Sequence, residues 1–97
     1  MNLEQVKQDL ESNKAILLDV REQDEWNKGH LTSAKLLPLS KLDEGEIPSD
    51  LPTDKILYIH CQRGGRAEIA AEILKKEGFN AIPLKNAFEV LQSQLSH

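Results

Sequence analysis

Ile56-Leu57-Tyr58-Ile59-His60-Cys61-Gln62-Arg63-Gly64-Gly65-Arg66 carries the chain from an apolar run into its only cysteine and out through two glycines flanked by arginines. Ile56 to Ile59 favours a β-strand, and Ile69, Ile73 and Leu74 recur at helical spacing within Ala67 to Glu77. The stretch therefore reads strand, tight loop, helix. Cys61 falls at the carboxyl end of the strand, where the first N–H groups of the following helix lack internal partners and carry the positive end of its dipole. Both effects favour thiolate over thiol. Gly64 and Gly65 are expected to turn the backbone through positive φ and to converge several N–H groups, while Arg63 and Arg66 add full charge. Gln62 to Arg66 thus forms a candidate anion-binding loop around a nucleophile, Cys61.

Outward from this loop, short apolar runs alternate with amphipathic ones. Asn2 with Gln5 marks a helix start, Leu3, Val6 and Leu10 supply its apolar stripe, and Asn13 ends it. Ala15 to Val20 is nearly all apolar, as a strand buried on both faces requires, with Asp19 its one polar member. Gln23 to Lys28 reads as a short helix stopped by Gly29, and Ala34 to Leu37 as a strand leading into Pro38. Asp43 to Asp54 combines Gly45, Pro48 and Pro52 with acidic residues and reads as a surface loop. Gly78 closes the helix that follows Cys61, Phe79 to Leu84 reads as a last strand, and Ala87 to Leu95 as a last helix. This alternation predicts an α/β fold with a parallel β-sheet flanked by helices on both faces. At 97 residues a single domain over residues 1–97 is expected.

Several function classes are disfavoured by composition. Net charge is −4 with acidic and basic residues interspersed, so no broad basic face is offered to nucleic acid or to an anionic membrane. No apolar run reaches the length of a transmembrane helix, and Met1 leads into polar residues without a signal-peptide pattern, so a cytoplasmic location is expected. One cysteine cannot form an intrachain disulfide, and no Cys/His cluster has metal-ligand spacing, so neither a metal nor another cofactor is expected. A bland reading also fits the loop: a small core thiol beside a glycine turn. Among enzymes, a Cys-based phosphatase or arsenate reductase is the nearest chemical rival. Phosphatase loops of that kind place arginine six positions after the cysteine, where this chain has Ala67, with Arg66 one residue early.

Two separated motifs carry a family resemblance. Leu18-Asp19-Val20-Arg21-Glu22, then Glu25-Trp26, then Gly29-His30-Leu31 and Ala34, resembles the amino-terminal signature of the rhodanese, or sulfurtransferase, family, and the Cys61 to Arg66 loop resembles its active-site loop. With the closing strand and helix the resemblance covers nearly the whole chain and is that of a single-domain rhodanese. It implies that Cys61 attacks the outer sulfur of a small anionic donor such as thiosulfate, becomes a persulfide and releases sulfite. A thiol acceptor, small or on a protein, or cyanide then takes the sulfur. A non-catalytic or regulatory rhodanese-like module that binds a partner stays open as the alternative. The family's Gly-Gly before an aromatic helix start is replaced here by Asn86-Ala87-Phe88, which implies an altered pocket wall. Ala67 stands where the family often has a hydroxyl residue.

Individual side chains divide by role. Arg63 is expected to face the ligand and Arg66 to be tied back, with Asp19 its candidate partner. Arg21 and Glu25, four apart, read as a structural ion pair, and Asp19 and Arg21 as structural support for the site. His60 and Cys61 point to opposite faces if the strand continues, so His60 is expected to pack or cap the strand end rather than act as a base. His30, after Gly29, is expected to bond to backbone, Trp26 to pack in the core, and His97, the terminal residue, is uninformative.

Overall fold

Every strand of the sheet is short and almost wholly apolar, which dictates a sheet covered on both faces. In the computed structural model, which describes residues 2–95, the strands are β1 (Ala15–Asp19), β2 (Ala34–Leu36), β3 (Ile56–His60) and β4 (Asn80–Pro83). His97 lies outside the described residues. The strands pair in parallel in the order β2-β1-β3-β4, with Leu17 opposite Tyr58 and Asp19 opposite His60 across β1 and β3. β1 stops at Asp19 rather than Val20, and β2 at Leu36, although Leu37 and Leu39 N–H still donate to Asp19 O and Val20 O as the chain passes through Pro38 into the next helix. Pro83 is tolerated in β4 because β4 is an edge strand.

The helices are α1 (Leu3–Glu11), α2 (Gln23–Lys28), α3 (Leu39–Asp43), α4 (Gly65–Lys76) and α5 (Phe88–Leu95). The period-2 alternation of β1 and β3 sends Leu17 and Tyr58 to one face, where Val6, Leu91 and Leu95 of α1 and α5 cover them. Leu18, Leu57 and Ile59 point to the other, against Leu39 and Leu42 of α3 and Ala67, Ala70, Ala71 and Leu74 of α4. Three small alanines on α4 let that helix lie close to the sheet. The sequence reading contained no α3: only Leu39 and Leu42 mark its buried side, too few to set a period. Asn2 does cap α1, its side chain accepting from Glu4 N–H at 2.9 Å, whereas Gln5 turns away to donate to Asp9 Oδ1 at 2.9 Å.

One buried polar contact joins α1 to the sheet. Tyr58 Oη donates to Asp9 Oδ2 at 2.7 Å, and Tyr58 is 2% and Asp9 7% exposed. Burial, and then the Asp9 carboxylate, push the Tyr58 phenol up to about 12. The Tyr58 hydroxyl first, and Gln5 second, hold the Asp9 carboxyl below its ordinary value. A carboxyl whose folded value is lowered stabilises the fold above the unfolded value, and that contribution is lost as pH falls through the folded one. Tyr58→Phe is therefore expected to lower the melting temperature most near neutral pH and less in acid below the ordinary aspartate range. A pH series of thermal melts checks this, and a pH-independent difference would contradict it.

Candidate active site

Strand order places the site before any side chain is considered. The chain leaves β1 toward β2 on one side and leaves β3 toward β4 on the other, so the crossovers part between the carboxyl ends of β1 and β3. In open parallel sheets that switch point is where a crevice forms. Asp19 to Arg21 emerge there from β1, and His60 and Cys61 from β3, as their register requires.

Cys61 is 1% exposed and lies on the floor of the loop. Gly64 N–H donates to its sulfur at 3.0 Å, the hydrogen bond that the head of α4 offers to a thiolate. Gly64 adopts φ 104°, and a Cβ there would sit 3.1 Å from Lys85 O, so both conformation and space demand glycine. Gly65 differs from expectation: it opens α4 without positive φ, and a Cβ there would meet nothing within 4 Å. One glycine makes the turn, because the helix has begun by the second. On the other flank Phe88 N–H donates to Gln62 O at 2.9 Å, tying the start of α5 to the loop. Asn86 and Ala87 hold no positive φ, so that segment has no backbone need for glycine, and both side chains are half-buried.

The arginines pair otherwise than the sequence suggested. Arg21, not Arg66, takes Asp19: its Nε lies 3.0 Å from both carboxylate oxygens, its Nη2 2.9 Å from Oδ2, and its backbone N–H donates to Oδ1 at 2.9 Å. Two residues apart at a strand end, they share a face. Arg21 also donates to Gly29 O at 2.8 Å, reaches Gln62 Oε1 at 3.4 Å and lies 4.2 Å above the Phe88 ring. Arg66 instead grips Glu25, Nη1 to Oε1 at 2.6 Å and Nη2 to Oε2 at 2.9 Å. Glu25 is presented for this by the start of α2, where it also accepts from Glu22 N–H at 3.0 Å. The Arg66 hydrogen bonds hold its carboxyl down at about 2, against a smaller opposing effect of burial. Arg66 is tied back as expected, and Arg63 is left exposed, with no hydrogen bond or ion pair among the described residues. The Glu22-x-x-Glu25 spacing, a helix-start signal, could have identified Glu25 as an oriented carboxylate.

His60 is fully buried beside the ring of Phe88, centroids 6.1 Å apart, with Nε2 3.8 Å from Asp19 Oδ2. Neither ring nitrogen has a hydrogen-bond partner among the described residues, and burial pushes its pKa down against the opposing pull of Asp19, so the ring packs as expected. Trp26 departs from expectation. It is half-exposed on α2, a helix without a buried residue, and stacks on His30 with centroids 3.6 Å apart. His30 Nδ1 lies 3.0 Å from Trp26 O, the backbone contact its turn implied.

These contacts separate look-alike residues. Arg21 is 3% exposed and its removal strands a buried carboxylate, so Arg21→Ala is expected to cost about 3–5 kcal/mol. The Arg66–Glu25 pair is 34% and 30% exposed, and solvent screening limits Arg66→Ala to about 1 kcal/mol. Denaturant unfolding of both variants decides it, and equal losses would contradict the pairing. By the same measurement Gly64→Ala is expected to cost about 1–3 kcal/mol through strain. Gly65→Ala is expected to gain about 0.4–1 kcal/mol by restricting the unfolded chain. Similar values for the two glycines would overturn the one-glycine turn.

Comparison with known proteins agrees with this geometry. The family model of the rhodanese-like domain matches residues 2–94. The chain is 40% identical over 77 residues to the uncharacterized protein YqhL of Bacillus subtilis, covering 78% of this chain and 60% of that one. It spans 44% of YrkF from the same organism, at 34% identity over 83 residues, so it covers about half of these curated relatives. It is also 30% identical over 87 residues to the thiosulfate sulfurtransferase GlpE of Ectopseudomonas mendocina, covering 89% of this chain and 78% of that one. Among solved structures, a rhodanese-like domain protein from Staphylococcus aureus superposes with TM-score 0.75 at 26% identity over 89% of this chain and 83% of that one. The human single-domain sulfurtransferase TSTD1 superposes with TM-score 0.83 at 23% identity over 99% and 96%, a likeness of fold. Match over nearly the whole length, a parallel sheet and a cysteine loop at its switch point make this chain a member of the rhodanese-like domain family.

Proposed function

We propose that this chain, as one rhodanese-like unit over residues 1–97, moves sulfane sulfur from a small anionic donor such as thiosulfate to a thiol or cyanide through a persulfide on Cys61. The observation that carries the reading is the 3.0 Å hydrogen bond from Gly64 N–H to Cys61 Sγ at the head of α4. An amide aimed at sulfur stabilises negative charge there without reorganisation, first on the thiolate and then on the persulfide. The thiolate attacks the outer sulfur of the donor, the donor's S–S bond breaks, and sulfite leaves with the bonding pair. An acceptor thiolate then attacks the outer sulfur of the persulfide, and the Cys61 thiolate is released.

The depth of Cys61 fits this order of events. A cysteine 1% exposed presents little of itself to solvent, whereas a persulfide extends the reactive atom outward by an S–S bond of about 2 Å. Gln62, Arg63, Gly64, Gly65 and Arg66 supply the ring around it, with Arg63 as the free cation that meets the anionic donor. Arg66 shapes the ring from behind through Glu25, and Asp19 with Arg21 supports the loop from β1. A phosphatase reading is disfavoured by the same contacts, since Arg66 is committed to Glu25 and Ala67 occupies the position at which such loops carry arginine. Among the described residues no helix is long and apolar enough to cross a membrane. A working thiolate fits the reducing cytoplasm.

Cys61→Ser is expected to abolish thiocyanate formation from thiosulfate and cyanide while the melting temperature stays close to the parent's. A serine hydroxyl is not ionised near neutral pH, and the buried His60 ring makes no hydrogen bond to the side chain at position 61 that would let it serve as a base. Thiocyanate formation at the parent rate would refute the proposal.

A further inference from the structure

Beside the Cys61 loop runs a second feature that the donor chemistry leaves unused. A cleft of about 320 Å³ opens between α2, Gln62 and α5, lined in part by Lys28, Gly29, Gln62, Phe88 and Gln92. That volume suits a small ligand. Its other lining groups, Arg21 and Glu25, are committed to Asp19 and to Arg66, so their charges are answered within the protein. Gln62 is held as well, its Oε1 3.4 Å from Arg21 and its Nε2 donating at 3.0 Å to Glu89 in the first turn of α5. Lys28, in the last turn of α2, and Gln92, on α5, have no hydrogen bond or ion pair among the described residues. The cleft therefore offers one free cation, one free amide and the half-buried Phe88 ring, and its wall, Gln62, directly follows Cys61.

Resting on the sulfur-transfer reading, we infer that this cleft seats the acceptor and favours thiols that carry a carboxylate, with Lys28 taking the carboxylate and Gln92 its second oxygen. The transfer balances without a further reactant. The acceptor thiolate forms a bond to the outer sulfur of the Cys61 persulfide, the bond from that sulfur to Sγ breaks, and the electron pair returns to Cys61 as thiolate. Lys28 and Gln92 touch no reacting atom. They position the acceptor, and they determine which thiols are used well.

The test compares mercaptopropionate with mercaptoethanol, which differ in the carboxylate, as acceptors from the thiosulfate-loaded full chain. The parent is expected to reach half-saturation at about fivefold lower concentration with mercaptopropionate, the size that an exposed ion pair supports. In Lys28→Gln that ratio is expected to fall to near one, and in Lys28→Glu to invert. A ratio unchanged by either substitution overturns the inference. Sulfite release from thiosulfate, measured in the same samples, reports the donor step: its absence from the parent refutes the sulfur-transfer reading. Methylthiopropionate, which cannot accept sulfur, tests the cleft in either case. It is expected to shift the side-chain amide signals of Gln92 and Gln62 in the parent and much less in Lys28→Gln, and equal shifts or none overturn the cleft assignment.

Discussion

The buried pair of Asp19 and Arg21 is the constraint on which the arrangement of the site depends. Asp19 is 0% exposed and Arg21 3%, so both charges have left water, a loss that only close and complete pairing offsets. The geometry meets that demand. Arg21 fills both carboxylate oxygens, gives a further donor to Gly29 O, and lays its guanidinium on the Phe88 ring. Four parts of the chain thereby meet at one side chain: the end of β1, the turn after α2, the loop through Gln62, and the start of α5. Buried pairs contribute little net stability against an apolar alternative, and their worth lies in fixing one arrangement among several. Here the arrangement fixed is the rim of the loop that carries Cys61.

Charge around the loop is fewer in effect than in number. Two arginines stand in the loop sequence, yet Glu25 neutralises Arg66, leaving Arg63 as the loop's free cation, at the surface. An anion approaching a chain of net charge −4 is thus drawn by a local site rather than by the protein as a whole. The basicity of Arg66 is raised chiefly by its hydrogen bonds to Glu25, against an opposing effect of burial. The Glu25–Arg66 pair also joins α2 to α4 across the crevice, which sets the spacing between the amino-terminal motif and the cysteine loop.

Much of this was legible in the sequence, and the exceptions share a cause. Ile56 to His60, Gln23 to Lys28 and the parallel α/β arrangement follow from local patterns, and the structure has them at those positions. Short-range signals failed where a partner lies far away in sequence. Arg66 and Glu25 are 41 residues apart, and nothing local to either names the other, so Asp19 looked the better candidate. The Asp19–Arg21 contact is local, but its i, i+2 spacing at a strand end is less familiar than the i, i+4 pairing of Arg21 with Glu25. Trp26 looked like core because of its size, while the helix that carries it buries nothing. Gly64 and Gly65 could not be told apart until the first turn of α4 was fixed.

The account turns on whether Cys61 can hold a transferable sulfur. Intact-protein mass after brief thiosulfate treatment and removal of excess reagent tests this directly, because the chain has one cysteine and a single place for a persulfide. The account predicts a gain of one sulfur atom that dithiothreitol reverses. An unchanged mass, with Cys61 shown to be free and reduced, would contradict it.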